Sequence, residues 1–255
     1  MVKLKSAIRW DTLNKKQVLS SFKNFLQIYV IFGFLQKFLM DSNIQLITLI
    51  IIAANVIVSY KGFKDYSFFH QNKFNIAELK SGNYKILLTS GFLHVDSTHL
   101  LVNMLTLYFF ANSVLFQLGI VPFLVIYLGS MLLGNYLSFF FHKDENSYSA
   151  VGASGAVVGI LYSAILLQPD MMLGLFFIIP MPAYVFGIGY LLYSIYAMKK
   201  RNDHIGHDAH FGGAMGGYFI TLALRPQLFS DSFLMVILLA LPILLLFILM
   251  KFDKI

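Results

Sequence analysis

The sequence predicts an all-α protein that crosses a membrane several times, and three observations lead there. Of its 255 residues 58% are hydrophobic and only 12% are Asp, Glu, Lys or Arg, against about 25% charged residues in soluble domains. The apolar residues lie in long continuous runs rather than in the period-two alternation of a membrane barrel. The charged residues fall mostly between those runs. Hydrocarbon offers the backbone no water, so runs of this length are read as spanning helices.

Met1 to Lys23 is polar and basic, and too polar to supply the apolar core of a cleavable signal peptide. Phe25 to Met40 is apolar but interrupted by Gln27, Gln36 and Lys37, which suits an interfacial amphipathic helix better than a span. Residues 1–41 are therefore read as a basic extension. Span one runs from Ser42 to Tyr60, and Lys61 to Asp96 is a long polar loop with room for short helices. Ser97 to His142 contains none of the four charged types and is too long for one crossing; Gly119–Pro122 breaks it into spans two and three. Val151 to about Gln168 is span four. Met171 to about Met198 is span five, expected to kink at Pro180 and Pro182. Span six runs from about Asp208 to Leu224, and span seven from Ser232 to Met250. The reading is a six-span core over 42–224 with a C-terminal seventh helix in 225–255.

Several classes are excluded or disfavoured. With no cysteine there is no disulfide, thiolate metal site or cysteine nucleophile. The formal net charge of +7 comes from basic residues flanking apolar runs, which fits lipid headgroups rather than nucleic acid. The basic tail argues for a cytoplasmic N-terminus, while Lys199, Lys200, Arg201 and the lysines of the long loop argue against it, so loop charge leaves the orientation open.

Polar residues inside spans are costly and mark function. His99 and Asn103 open span two, four apart and so on one helix face. Ser154 opens span four and His210 opens span six. Consecutive spans alternate direction, so these four residues share one depth on one side of the bilayer. Gly155 and Gly159 on span four, and Ala209, Gly213 and Gly217 on span six, recur every four residues. Such spacing lets two helix backbones approach closely and would bring Ser154 to His210. A serine hydroxyl needs an adjacent base to become a nucleophile, and imidazole supplies one. His99, Asn103 and the Ser154 backbone N–H can donate to a developing oxyanion.

These motifs resemble, in order, those of the rhomboid family of intramembrane serine proteases: His99-x-x-x-Asn103, Gly152-Ala153-Ser154-Gly155, and Ala209-His210-Phe211-Gly212-Gly213 continuing to Gly217. The resemblance covers about Ser42 to Leu224. It implies a rhomboid-like six-helix bundle plus one helix, and a dyad of Ser154 as nucleophile and His210 as base and then acid. It implies an oxyanion site of His99, Asn103 and the Ser154 N–H, and structural roles for His94, Gly152, Gly155, Gly213 and Gly217. It implies no cofactor and no metal. Its partners would be transmembrane protein substrates and the lipid bilayer, and its place the cell membrane of a bacterium. Agreeing with a dyad, no span contains a candidate acid; Asp208, at the boundary of span six, would point away from His210.

Two positions depart from the family's pattern. Val158 stands four residues after the serine, where an aromatic often stacks on the histidine, which leaves Tyr162 one turn on as a substitute. Tyr84-Lys85 stands where the first loop often has Trp-Arg. Three bland readings compete: Ser154 as a small packing residue, Asn103 as a packing or hydrogen-bonding residue, and His204, His207 and His210 as a metal cluster, which lacks an inward acidic ligand. Two other functions compete as well. A rhomboid-like pseudoprotease that binds membrane clients predicts loss of the serine or histidine, yet both are present. A transporter predicts an inverted repeat and a midplane site, whereas no repeat is evident and the polar residues gather near one surface.

Overall fold

A computed structural model describes residues 46–175, 179–200 and 205–252. The basic extension, its interfacial segment and the start of span one lie outside them. Among the described residues four helices are long and apolar enough to cross a membrane: α1 (Leu46–Lys64), α5 (Ser97–Leu118), α6 (Ile120–His142) and α11 (Phe233–Lys251). Between α5 and α11 come α7 (Ser154–Leu167), α8 (Ala183–Lys200), α9 (His207–Leu224) and the short α10 (Leu228–Asp231). The chain is a polytopic all-α membrane protein.

The central element is α7, in which every residue from Gly155 to Leu167 is buried. A helix that is apolar all round belongs inside a bundle, and α5, α6, α8 and α9 all pack against it. Its 14 residues rise only about 21 Å, less than the roughly 30 Å hydrocarbon core. The nucleophile candidate at its first position is thus not at the end of a full crossing.

Glycine sets the distance between α9 and its neighbours. A Cβ on Gly213 would fall on the Gly155 backbone, and one on Gly217 on the Gly159 backbone. This is the expected seam between spans four and six. A second seam lies on the other face of α9: a Cβ on Gly212 would sit 2.6 Å from the Leu133 carbonyl oxygen and 2.8 Å from the Gly134 Cα. The α6 side is built from Ser130 and Gly134, themselves four apart, a small-residue repeat like those on spans four and six.

The long loop folds as α2 (Tyr66–Asn72), α3 (Ile76–Lys80) and α4 (Ile86–Thr89), followed by a 3₁₀ turn at Ser90–Phe92. Phe74, Ile76, Leu79 and Ile86 give it a small core of its own. A two-residue strand, β1 (Phe74–Asn75), pairs antiparallel with β2 (Ser149–Ala150), Phe74 facing Ala150. The loop is thereby fastened to the segment just before Ser154.

Span five needs correction. No kinked helix begins at Met171. Residues Met172–Leu175 (β3) and Ile179–Pro182 (β4) pair antiparallel, Met172 opposite Pro182, and helix starts only at Ala183. Two prolines at alternate positions remove two amide donors and disfavour helix for the residue before each. The chain therefore stays extended until both are passed.

Because backbone, not a movable side chain, fills the space at Gly213, Gly213→Val should cost at least the ~1–3 kcal/mol typical of overpacking. Thermal unfolding in detergent micelles checks this; a wild-type midpoint would contradict it.

Candidate active site

The two backbone N–H groups that precede Ser154 are both held. Gly152 adopts φ +138°, a conformation that favours glycine. Its N–H donates to the Ser90 carbonyl (3.0 Å). A Cβ at this position would also lie 2.8 Å from His99 Cε1 and 3.5 Å from Ser154 Oγ. The next N–H, of Ala153, donates to His94 Nε2 (3.4 Å). Ser154 then begins the helix, with no side-chain cap from Ala153, so the first-turn N–H groups keep their donors free of intrahelical bonds.

His94 connects three parts of the chain. Its Nδ1 lies 2.8 Å from Ser59 Oγ on α1, and Ser59 Oγ donates to the Phe92 carbonyl (3.0 Å). Nε2 accepts from Ala153, so Nδ1 carries the proton and donates to Ser59. Burial first, then the neighbouring His99, lowers the His94 pKa from 6.5 to about 3, opposed by Asp96. A neutral ring is what this accept-and-donate arrangement requires. From α6, Asn135 Nδ2 donates to the Leu87 carbonyl (2.7 Å) and to Ser90 Oγ (3.3 Å). Sequence reasoning passed over Asn135 and Ser59, although an Asn or Ser in an apolar run was the available signal.

The two opening residues of spans four and six meet. His210 Nε2 is 2.6 Å from Ser154 Oγ. His210 Nδ1 is 2.6 Å from the Tyr190 hydroxyl on α8, and the two rings stack at 5.9 Å with 28° between planes. Tyr162 is not the group that orients the histidine: its hydroxyl donates to the Gly187 carbonyl (2.6 Å), tying α7 to α8. Tyr190 lies within an apolar run where nothing in the sequence sets it apart, and only tertiary packing brings it to His210. Asp208 faces elsewhere, as expected: its Oδ1 accepts from the Tyr148 hydroxyl at 3.5 Å and its Oδ2 lies 3.7 Å from His142 Nε2.

His99 and Asn103 complete the cluster from α5. Asp96 caps that helix, its Oδ1 accepting the His99 N–H (2.8 Å). The His99 ring packs edge-on against His94 (4.9 Å). Asn103 is 6% exposed, and its Nδ2, like His99 Nδ1, is buried with no hydrogen-bond partner among the described residues. A buried amide donor normally finds an acceptor, and Asn103 Nδ2 has none among the described residues. Ser154, His210, His99, Asn103, Gly152 and Tyr190 all line one cavity of about 940 Å³. Gly155, by contrast, belongs to the seam, where a Cβ would meet the Ala209 carbonyl at 3.2 Å. Among the described residues no group of three His, Asp or Glu could hold a metal; His204 lies outside them.

The sequence profile of the Rhomboid domain matches residues 81–227, more than half of the chain and all four polar positions. The chain belongs to the rhomboid family. It is 32% identical over 181 residues to RHOMBOID-like protein 12, mitochondrial, of Arabidopsis thaliana, covering 65% of this chain and 54% of that one. It is 30% identical to the human Presenilin-associated rhomboid-like protein, mitochondrial, over 53% of this chain and 37% of that protein. It is also 30% identical to the Putative rhomboid protease YdcA of Bacillus subtilis, over 55% of this chain and 67% of that one. The chain thus spans about half or less of the length of the two mitochondrial relatives.

His94 gives a pH signature to this rhomboid. Its folded pKa lies below its unfolded value, so between about pH 6.5 and 3 the unfolded chain binds a proton that the folded chain does not, and stability falls as pH drops through that window. His94→Leu should cost about 1–3 kcal/mol at pH 7.5 by unpairing buried partners and should flatten the acid slope. Denaturant titrations in mixed micelles at pH 7.5, 6 and 5 test this; an undiminished slope in the variant would refute it.

Proposed function

We propose that this rhomboid is an intramembrane serine endopeptidase that cleaves transmembrane segments of other membrane proteins with a Ser154–His210 dyad. The observation that carries the reading is the 2.6 Å approach of His210 Nε2 to Ser154 Oγ beside a buried, unpartnered Asn103 amide. A serine kept for helix packing needs neither.

The chemistry follows from the geometry. Ser154 Oγ attacks the scissile carbonyl carbon as its proton passes to His210 Nε2. Charge then develops on the carbonyl oxygen and on the imidazole together. Asn103 Nδ2, His99 and the Ser154 N–H donate to that oxygen, where low surrounding dielectric makes each donor worth more than in water. Collapse of the tetrahedral adduct expels the amine, which takes the proton from Nε2. Water, deprotonated by the same nitrogen, hydrolyses the ester. Substrates whose helices are destabilised near the membrane surface would expose the bond most readily. Its place would be a cell membrane, as in a bacterium such as that of the Bacillus relative.

Cleavage of a model transmembrane substrate in liposomes is the test. Wild type should cut; Ser154→Ala and His210→Ala should lose at least about 10³-fold in rate. Asn103→Ala should lose about 10²- to 10³-fold in kcat. Cleavage that survives Ser154→Ala sinks the mechanism, and a wild type inactive on several substrates favours a rhomboid-like protein that binds clients without cutting.

A further inference from the structure

Serine hydrolases commonly hold their histidine with a buried carboxylate at Nδ1. Here the group at His210 Nδ1 is the Tyr190 hydroxyl, at 2.6 Å. Resting on the protease reading above, we propose that Tyr190 is the positioning residue of the dyad: its phenol oxygen accepts the Nδ1–H of His210, leaving Nε2 unprotonated and aimed at Ser154. No proton passes to the phenol. When Ser154 gives its proton to Nε2, the imidazolium keeps its Nδ1–H, and the tyrosine oxygen stabilises that positive ring as a neutral acceptor.

Three further contacts fit a positioning device rather than a chance neighbour. The Tyr190 ring stacks with both His210 and Phe186, at 5.9 Å in both cases, with 28° and 13° between planes. The ring is thus fixed independently of its hydroxyl. One turn further along α8, Ser194 Oγ donates to the Tyr190 carbonyl (2.9 Å). Three residues before Tyr190, Gly187 is held by the Tyr162 hydroxyl from the nucleophile's own helix. A Cβ on Gly187 would sit 2.9 Å from Ile165 Cδ1, so α8 lies close on α7 at that point. Tyr162, the residue the sequence points to as the histidine's support, therefore acts one step away. It sets the register of the helix that carries Tyr190. Val158 needs no aromatic replacement on α7 because α8 supplies the ring.

The hydroxyl and the ring can be separated by substitution. Wild type, Tyr190→Phe and Tyr190→Leu would be compared in detergent for kcat and KM on a transmembrane substrate from pH 5.5 to 9, with thermal unfolding measured alongside. Tyr190→Phe keeps the stacked ring and should unfold at the wild-type temperature. Its kcat should fall about 10- to 100-fold with KM within about twofold, as for a group acting on the transition state. The acid limb of its kcat/KM profile should move to lower pH, because the imidazolium loses an acceptor. Tyr190→Leu, losing ring and hydroxyl, should be slower still. The proposal is overturned by a Tyr190→Phe variant with wild-type kcat and an unmoved acid limb. It is equally overturned by one whose kcat falls only in step with its melting temperature. ¹⁵N spectra of histidine-labelled protein read the tautomer without any turnover: Nδ1 of His210 should carry the proton in wild type and share it with Nε2 in Tyr190→Phe. An Nε2-protonated ring in wild type would also overturn the proposal. A wild type that neither cuts nor reacts with a fluorophosphonate at Ser154 defeats the protease reading instead, and the tautomer measurement still decides the role of Tyr190.

Discussion

The arrangement depends above all on how closely the backbone of α9 can lie against α7 and α6. His210 is on α9 and Ser154 on α7, and a 2.6 Å contact between their side chains requires two helices nearly touching at the next turns. Gly213 and Gly217 allow this on the α7 side, and Gly212 on the α6 side. In lipid no hydrophobic force drives apolar helices together, so dispersion contacts between close backbones carry much of the association. Glycine therefore fixes position and supplies cohesion at once. Any side chain added at those points opens the gap that the serine–histidine contact has to close.

Around this seam runs a polar network that fixes the backbone leading into Ser154. Asn135 holds Ser90, Ser90 holds Gly152, and His94 links Ala153 to Ser59. The pairing of Phe74–Asn75 with Ser149–Ala150 adds a third fastening. The long loop and three helices thus converge on three consecutive residues, Gly152 to Ser154. Buried networks of this kind stabilise only when fully paired, and the positive φ of Gly152 is one that glycine adopts without a side-chain clash. Beside that network, Asn103 Nδ2 and His99 Nδ1 are buried without a partner among the described residues, and both residues line the cavity that Ser154 also lines.

Much of the bundle could be read from the chain because lipid imposes a simple rule: uncharged runs become helices, and their ends fall at charges, glycines and prolines. The break at Gly119, the start of α7 beside Ser154 and the extent of α9 all follow from it. So does the depth shared by His99, Asn103, Ser154 and His210, since alternation of direction needs no tertiary detail. The rule fails at Pro180 and Pro182. Hydropathy treats Met171 to Met198 as one run, whereas two missing amide donors keep its first part extended. It was also blind to Tyr190, which sits within an apolar helix and gains its significance only from packing beside His210. The second glycine seam was missed for another reason: Ser130 and Gly134 repeat plainly, but a chain with two such seams does not say which partner each one meets.

A phenol at Nδ1 also matters before the protein is folded. Each spanning segment has to partition into the bilayer as it is made, and an aspartate near the middle of a helix adds about 3 kcal/mol to that step. Tyr190 lies well inside α8, between Ala183 and Lys200, where a carboxylate would weigh on a helix that already ends in two lysines. A neutral hydroxyl provides an oxygen beside the histidine without that penalty. The chain can thus enter lipid with no carboxylate among Ser154, His210 and Tyr190.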